Sequence, residues 1–297
     1  MATPIVSPVI PTYSAATPYL TIPEYLASPT GVDTSQLVVR GTTQQNTDAL
    51  SQTIARASSS VDRFVRKVLA ATVDTQAGEY RQLPGGYLWI KLDNTPILQV
   101  NDVSVGNSPA ALTSLSDLSQ VRIGKSSIKV PLFNFNPSPV PYGYSFDRWY
   151  AVTTYVNGYA NTLLAASVAA GGKTMTLIST LGIAVGQQLT MYDPGFTEAV
   201  VVQSVVGNVV TIVGTFQFAH TVVAGSATQA VSVSALPAVV KEATVLYTTA
   251  LIKTRTAGSF VIPQIGAQPA QTARTSTGGS REQELAEDLL ADLRRAA

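Results

Sequence analysis

The most constraining feature of the sequence is a long stretch, residues 160–235, that is almost free of charge. It contains three charged residues among 76, namely Lys173, Asp193 and Glu198. Its apolar residues alternate in short runs about ten residues apart, and glycine-containing turns divide the runs. Short strands at such even spacing are typical of a small barrel or sandwich. The sequence therefore predicts an all-β domain over residues 160–235.

Helical periodicity appears on both sides of this stretch. Over residues 47–70 the apolar side chains recur every three or four positions, and the charged residues lie off that face. The same period returns at "LPAVVKEATVLYTTALIKTR", where Pro237 suits the first turn of a helix. Thr21 and Glu24 form a capping-box signature, which predicts a further short helix. We expect long helices before and after the β domain.

Strand patterns fill the region between the first long helix and the β domain. Residues 79–105 alternate or carry β-branched and aromatic residues, and "PGG" and "DNTP" break them, which predicts a small β-meander. Residues 106–145 are rich in Ser, Asn and Pro and predict only short strands. The segment "DRWYAVTTYVNGY" predicts a strand that ends at a turn. The fold class is therefore α+β.

The two ends of the chain have their own patterns. Proline interrupts residues 1–20, which predicts an extended arm rather than a signal peptide. Gly, Gln, Pro and Thr dominate residues 258–280, which predicts a flexible linker. In residues 281–297 a helix is predicted, with Ser280 and Gln283 as a capping box. Its apolar stripe is narrow and consists of Leu285, Leu289 and Leu293, with Leu290 at the edge. A tethered helix with one apolar stripe is typical of a docking element.

These patterns divide the chain into five parts. They are an arm (1–20), a helical core (21–159 with 236–257), an inserted β domain (160–235), a linker (258–280) and a terminal helix (281–297).

Composition excludes several classes of function. The chain has 19 basic and 18 acidic residues, so a protein that binds nucleic acid or a membrane surface over its whole face is not expected. There is no cysteine, which excludes disulfides, thiolate metal sites and cysteine nucleophiles. No apolar stretch is long enough to span a bilayer.

A search for catalytic motifs yields weak candidates. The segment "AAGGKTMT" ends like a phosphate loop, but Ser167 stands where the motif needs glycine, and a strand is predicted to follow. His220 is the only histidine, and we expect it to close a strand and to bond a neighbouring loop. Asp193 and Glu198 would form an acid/base pair, but Asp-Pro-Gly is typical of a tight turn. We predict no catalytic residue, no metal and no cofactor.

The basic residues of the first long helix are the best functional candidates. They are Arg56, Arg63, Arg66 and Lys67. Arginine forks suit phosphate oxygens, so contact with DNA is one interpretation. A solvated helix face or ion pairs between subunits is the other, and it is favoured because four basic and two acidic residues over 47–70 are too mild a bias for tight DNA binding.

The order of these elements resembles a known family. The segments concerned are "YLTIPEYLAS", "ARASSSVDRFVRKVL", "TPILQVNDVSV", "VTTYVNGY" and "LPAVVKEATVLYTTALIKTR". Together they resemble the head–tail connector (adaptor) family of tailed bacteriophages over residues 19–105, 146–159 and 236–257. In that family a Tyr-x-x-Gly-Tyr strand end soon precedes the Leu-Pro helix. Here residues 160–235 separate Tyr155, Gly158 and Tyr159 from that helix, so they read as an insertion.

The resemblance implies a structural role in the neck of the virion, after assembly in the cytoplasm of the host bacterium. Adaptors form a ring, normally of twelve copies, beneath the portal protein. The ring extends the DNA channel, touches passing DNA without specificity, and carries the stopper or tail-completion protein. The basic helix would then face a neighbouring subunit or the channel.

On this interpretation the terminal helix docks on the portal. The residues assigned to that contact are Leu285, Leu289, Leu290, Leu293, Arg294 and Arg295. Two alternatives stay open. One is another virion protein, such as a stopper, tail-completion or decoration protein, that binds through its β domain. The other is a hydrolase with a β accessory module, against which the lack of a titratable cluster argues.

Overall fold

The computed structural model describes residues 17–83, 86–132, 148–223, 226–257 and 278–295. Within these ranges the chain forms four α-helices and thirteen β-strands, so the α+β class is confirmed. The described residues divide into two compact units. The helical unit contains 17–20, 30–68, 238–257 and 278–295, and the β unit contains 21–29 and the described parts of 69–237.

The helical unit contains three helices: α2 (Thr43–Val65), α3 (Ala238–Ala257) and α4 (Gly278–Arg295). The short α1 (Ile22–Ala27) belongs to the β unit. Its predicted capping box is confirmed, because the Glu24 carboxylate accepts the Thr21 N–H at 2.7 Å, while the Thr21 hydroxyl accepts the Glu24 N–H at 3.4 Å. The six residues of α1 thus owe their start to their own sequence.

The bounds predicted for α2 were wrong at both ends. A second capping box starts the helix early, because the Gln45 side chain accepts the Thr42 N–H at 2.8 Å and the Thr42 hydroxyl accepts the Gln45 N–H at 3.3 Å. At the other end Arg66 takes the left-handed conformation, with φ 64° and ψ 23°. A left-handed residue ends a helix. The helix therefore stops at Val65 and does not reach residue 70.

The core of the helical unit is apolar and closely packed. Both α2 and α4 pack against α3, and α4 also contacts α2. The buried apolar residues of these helices include Leu50, Ile54, Val61, Val65, Val240, Ala243, Ala286 and Leu290. Asp62 was predicted off the apolar face, yet it is fully buried, because the Tyr19 hydroxyl donates to its carboxylate.

The start of α4 also differs from the prediction. The helix begins at Gly278, so Ser280 lies inside its first turn and is not the N-cap. The last three residues of the predicted linker are therefore helical. The rest of that linker, 258–277, and most of the predicted arm, 1–16, lie outside the described residues.

The β unit holds a seven-stranded antiparallel sheet. Its strands are β1 (Thr72–Leu83), β2 (Tyr87–Lys91), β3 (Ile97–Gly106), β4 (Leu112–Ser114), β5 (Arg122–Ile123), β6 (Ser127–Pro131) and β7 (Arg148–Asn157). The strand order is β4-β3-β7-β1-β2-β6-β5. The predicted meander was wrong, because β2 pairs with β1 and β6 and not with β3, which pairs with β4 and β7.

The β unit also holds a six-stranded antiparallel sheet. Its strands are β8 (Asn161–Leu163), β9 (Thr174–Thr176), β10 (Gln188–Tyr192), β11 (Glu198–Val206), β12 (Val209–Val213) and β13 (Ser232–Ser234), in the order β8-β13-β10-β11-β12-β9. A bridge between Leu164 and Leu177 links the chain just beyond the edge strands β8 and β9. All six strands fall within the predicted range 160–235, whose independence as a domain stays a prediction.

The Tyr-x-x-Gly-Tyr motif lies where β7 ends. Gly158 has φ +91°, and a Cβ atom there would lie 2.6 Å from the Ala70 carbonyl oxygen. The next residue, Tyr159, donates its N–H to the Leu69 carbonyl at 2.8 Å. A side chain at position 158 would therefore be strained and would clash with backbone. Glycine is required because two chain segments pass each other here.

Candidate functional site

The basic side of α2 is the first candidate site. Arg56, Arg63 and Arg66 are exposed, and Arg56 and Arg63 lie opposite the buried face of the helix. None of the three guanidinium groups pairs with a carboxylate in the part of the chain that the structure describes. Lys67 is half-buried, and burial lowers the pKa of its ammonium below the ordinary value. The predicted set is thus three exposed arginines and one partly buried lysine.

Two of these arginines line a cavity of about 520 Å³ within the helical unit. We call it the basic cavity. Its lining residues come from α2, the C-cap of α2, α3 and α4: Ser60, Arg63, Phe64, Arg66, Tyr247, Ala250, Leu251, Thr254, Gln283, Glu287 and Arg294. Three arginines against one glutamate give this described lining a net charge of +2. Arg56 is not among the lining residues.

Backbone and ring contacts position two of the arginines. Arg66 keeps the left-handed conformation at the C-cap of α2, where its N–H donates to the Asp62 carbonyl. A residue other than glycine is uncommon in this conformation, and it persists only where its surroundings hold it. The Arg294 guanidinium lies 5.2 Å from the centroid of the Phe64 ring. Stacking of this kind restricts the side chain and leaves its N–H edge for an oxyanion.

The one acidic residue of the basic cavity is already bonded within the helical unit. The Glu287 carboxylate accepts a hydrogen bond from the Gln283 amide at 2.8 Å and one from the Tyr247 hydroxyl at 3.5 Å. Burial, and then the nearby Glu287 charge, raise the pKa of the Tyr247 hydroxyl well above its ordinary value. Tyr247 therefore stays protonated and acts as a donor. Oxyanions are what the arginines of this cavity are suited to bind.

The leucines of α4 do not share one environment. Leu290 is fully buried together with Ala286, whereas Leu285 and Leu289 are 46% and 37% exposed. Leu293 is partly buried. Leu285 and Leu289 of the predicted stripe are therefore exposed, and docking of the stripe on another protein stays a prediction. The inward face is centred on the fully buried Ala286 and Leu290.

A salt bridge to α3 also holds α4 in place. The Lys253 ammonium pairs with the Glu282 carboxylate at 2.5 Å and lowers the pKa of that carboxyl. Arg294 is exposed apart from its stacking on Phe64. The side chain of Arg295, also assigned to portal docking, lies outside the described residues. The helix α4 thus packs within its own chain through one face only.

A second cluster lies in the six-stranded sheet and joins three residues that the sequence analysis treated apart. We call it the histidine cluster: Asp193, Glu198 and His220. The buried His220 ring makes a 3.0 Å contact from Nδ1 to Asp193 and a 2.7 Å contact from Nε2 to Glu198. Asp193 does form the predicted backbone turn, since its carbonyl accepts the Phe196 N–H at 2.8 Å. Its side chain, however, bonds the histidine.

The chemistry of the histidine cluster favours a structural role. Burial raises the pKa of Glu198, but hydrogen bonds from Gln217, His220 and Phe218 outweigh it and hold the pKa below its ordinary value. An ionised Glu198 with three donors is a stable buried acceptor. Among the described residues no group of three or more His, Asp or Glu side chains is arranged to hold a metal ion.

A cavity of about 310 Å³ adjoins the cluster, and Asp193 and Phe196 line it. No hydroxyl of the described residues bonds the histidine ring, whose two nitrogens are both taken by carboxylates. A nucleophile–histidine pair of the kind used in acyl transfer is therefore not formed here. One feature of the sequence indicates this cluster: the only histidine lies in a nearly uncharged stretch together with two of its three charged residues.

The resemblance of "AAGGKTMT" to a phosphate loop does not extend to structure. Gly171 has φ +79° and donates its N–H to the Phe216 carbonyl at 2.8 Å. The strand β9 follows at Thr174, as predicted, where a phosphate loop would open a helix. These glycines form a turn between strands.

Comparisons of the sequence with protein-family models and with curated proteins gave no match. No α-helix in the described ranges has the length and apolar character that crossing a membrane requires.

Proposed function

We propose that this protein is a structural head–tail adaptor of a tailed bacteriophage. It forms a ring beneath the portal, extends the DNA channel and carries the stopper or tail. The observation that carries the proposal is the character of α2, which buries one face against its own unit and leaves unpaired arginines on the other. This is what a helix at a contact between subunits, or at a channel, needs. The order of elements shared with the adaptor family supports the same conclusion.

The overall charge supports a channel role. A net charge of +1 leaves the chain close to neutral. Because each neutralised phosphate adds to affinity, a strongly basic ring would hold DNA that must slide through it. A few arginines per copy give transient contact without retention. We assign Arg56, Arg63, Arg66 and Lys67 to contacts with a neighbouring copy or with the channel.

The terminal helix supplies the portal contact in this proposal. Of the leucines assigned to it, Leu285 and Leu289 keep enough exposed surface to meet another protein. Leu290 is fully buried inside the helical unit, so we remove it from the residues assigned to the portal contact. Arg294, Arg295 and the partly buried Leu293 complete it.

The finer fold follows the same plan. We infer that the helical unit and the seven-stranded sheet are the adaptor core, and that the six-stranded sheet is an inserted small barrel. The bridge between Leu164 and Leu177, which links the two sheet edges, supports the barrel.

A second candidate function is favoured by the outer face of the six-stranded sheet. Val201 pairs with Val213 and Val206 pairs with Val209, and all four are exposed, Val206 to 76% and Val213 to 61%. Adjacent exposed valines on a sheet with so few charges suit contact with another protein. This favours a stopper, tail-completion or decoration protein that binds through its β domain.

Sedimentation velocity of the purified protein, alone and with the portal protein of the same phage, separates these functions. An adaptor sediments as a ring of about twelve copies, or assembles into one on the portal, and electron microscopy shows a central channel. A second sample lacks residues 162–234, replaced by a short Gly/Ser linker. Portal binding that survives this deletion supports the adaptor, and portal binding that depends on the deleted residues supports the second candidate. A protein that stays monomeric and ignores the portal contradicts the adaptor.

A further inference from the structure

We propose that the basic cavity of one copy receives the acidic outer face of α4 from the next copy in the ring. This inference rests on the proposed ring and names the surfaces that build it. The ligand of the cavity is therefore a pair of carboxylates on a helix of a second copy of this chain.

The donor surface is the outer face of α4. Glu284 and Asp288 are one turn apart and lie opposite the buried pair Ala286 and Leu290. Both carboxylates are exposed, and neither is bonded within the described parts of the chain. A pair of exposed acids is a surface that a basic cavity complements.

The recipient surface is built for carboxylates. The lining arginines have no carboxylate partner within the described residues, and their net excess of two positive charges matches two acids. Phe64 and Leu251 give the same cavity apolar walls. A volume of about 520 Å³ is within the range of sites that enclose several side-chain groups.

No copy can fill its own cavity with this surface. Gln283, Glu287 and Arg294 of α4 form a wall of the cavity, while Glu284 and Asp288 lie about 100° around the same helix. Donor and recipient are thus different patches of one unit. A contact between two different patches runs head to tail, and it closes into a ring when the rotation between copies allows.

Charge reversal with rescue tests the pairing. The recipient variant is Arg63→Glu with Arg66→Glu, the donor variant is Glu284→Arg with Asp288→Arg, and the rescue variant carries all four changes. Lys125→Glu, an exposed charge in the β unit, is the matched control. Circular dichroism first shows that each variant is folded. Sedimentation velocity at low salt then measures self-association over a range of concentrations.

We expect each double variant to weaken self-association by about tenfold or more, since like charges then face each other. The rescue variant should regain most of it, and Lys125→Glu should match the wild type. Equal self-association of wild type and both double variants overturns the pairing but leaves the ring intact. A wild type that associates neither alone nor on the portal protein overturns the ring itself. If the recipient variant instead loses retention of duplex DNA on a filter while self-association is unchanged, the cavity serves nucleic acid and the proposal is wrong.

Discussion

The six-stranded sheet and the helical unit use their charged residues in opposite ways. The sheet region has three charges over residues 160–235, and two of them, Asp193 and Glu198, are bonded to the buried His220. The helical unit leaves Arg56, Arg63, Glu284 and Asp288 at its surface. Charges that are buried must be paired to be tolerated, whereas exposed charges add little to stability. The first set therefore serves the fold, and we propose that the second serves contacts with other molecules.

The largest expected effect is in the histidine cluster. Replacing His220 with alanine removes the hydrogen-bond partner of two carboxylates, one of them buried, and leaves a void. We expect a loss of about 2–3 kcal/mol in the free energy of unfolding, in the upper part of the range for leaving a buried polar group without its hydrogen-bond partner. Urea denaturation measures it, and Thr221→Ala at the exposed next position is the control. A loss below about 1 kcal/mol would show that the cluster is not a structural element.

A smaller effect is expected on the pH dependence of stability, because within the histidine cluster it comes from the carboxyl group of Glu198 alone. The pKa of Glu198 is lower in the folded protein than in the unfolded chain, whose ordinary value is 4.5. Its contribution is therefore complete above pH 4.5 and is lost as the pH falls through the lower folded value. Glu198→Gln removes the titration but keeps an acceptor. The stability difference between wild type and this variant should shrink as urea denaturation is repeated from pH 6 down to pH 3. A difference that stays constant contradicts the assignment.

The smallest expected effect is at Arg66, and it has the opposite sign. Glycine relieves the left-handed strain at the C-cap of α2 but gains freedom in the unfolded chain, so Arg66→Gly should stabilise the protein by about 0.5 kcal/mol. Arg63→Gly, inside the helix, should instead destabilise by about 1 kcal/mol. Denaturation compares the two. If Arg66→Gly destabilises the protein as much as Arg63→Gly, the Arg66 side chain stabilises the fold. Arg66 would then not belong to the charges that we assign to contacts with other molecules.

Local patterns explain most of what could be predicted of the fold. The cap at Thr21 and the strand β7 depend on neighbours in sequence, and both were predicted. The order of strands was not, because β7 pairs with β1 and β3 from more than forty residues away. The capping box of Thr42 and Gln45 could have predicted the early start of α2, whereas no comparable sequence pattern marks its end. No sequence rule places arginine in a left-handed C-cap.

The candidate sites were predictable only as separate residues. The exposed arginines of α2 followed from helical periodicity, which places them off the apolar face. The basic cavity did not, since it needs α3 and α4 to bring Arg294 beside Arg63 and Arg66. The histidine cluster likewise joins residues from different strands and turns. The buried face of α4 was not predicted, because the apolar stripe was identified from leucines alone and the small buried residue Ala286 was left out.

One crossed measurement tests the division of roles most directly. The free energy of unfolding and the sedimentation coefficient are determined for two variants, Glu198→Gln and Arg63→Glu with Arg66→Glu. We expect the first to lower stability and to sediment like the wild type. The second should keep nearly the wild-type stability and should lose self-association. If the arginine variant sediments like the wild type while the Glu198 variant dissociates, the contacts between copies depend on the six-stranded sheet, and the account is contradicted.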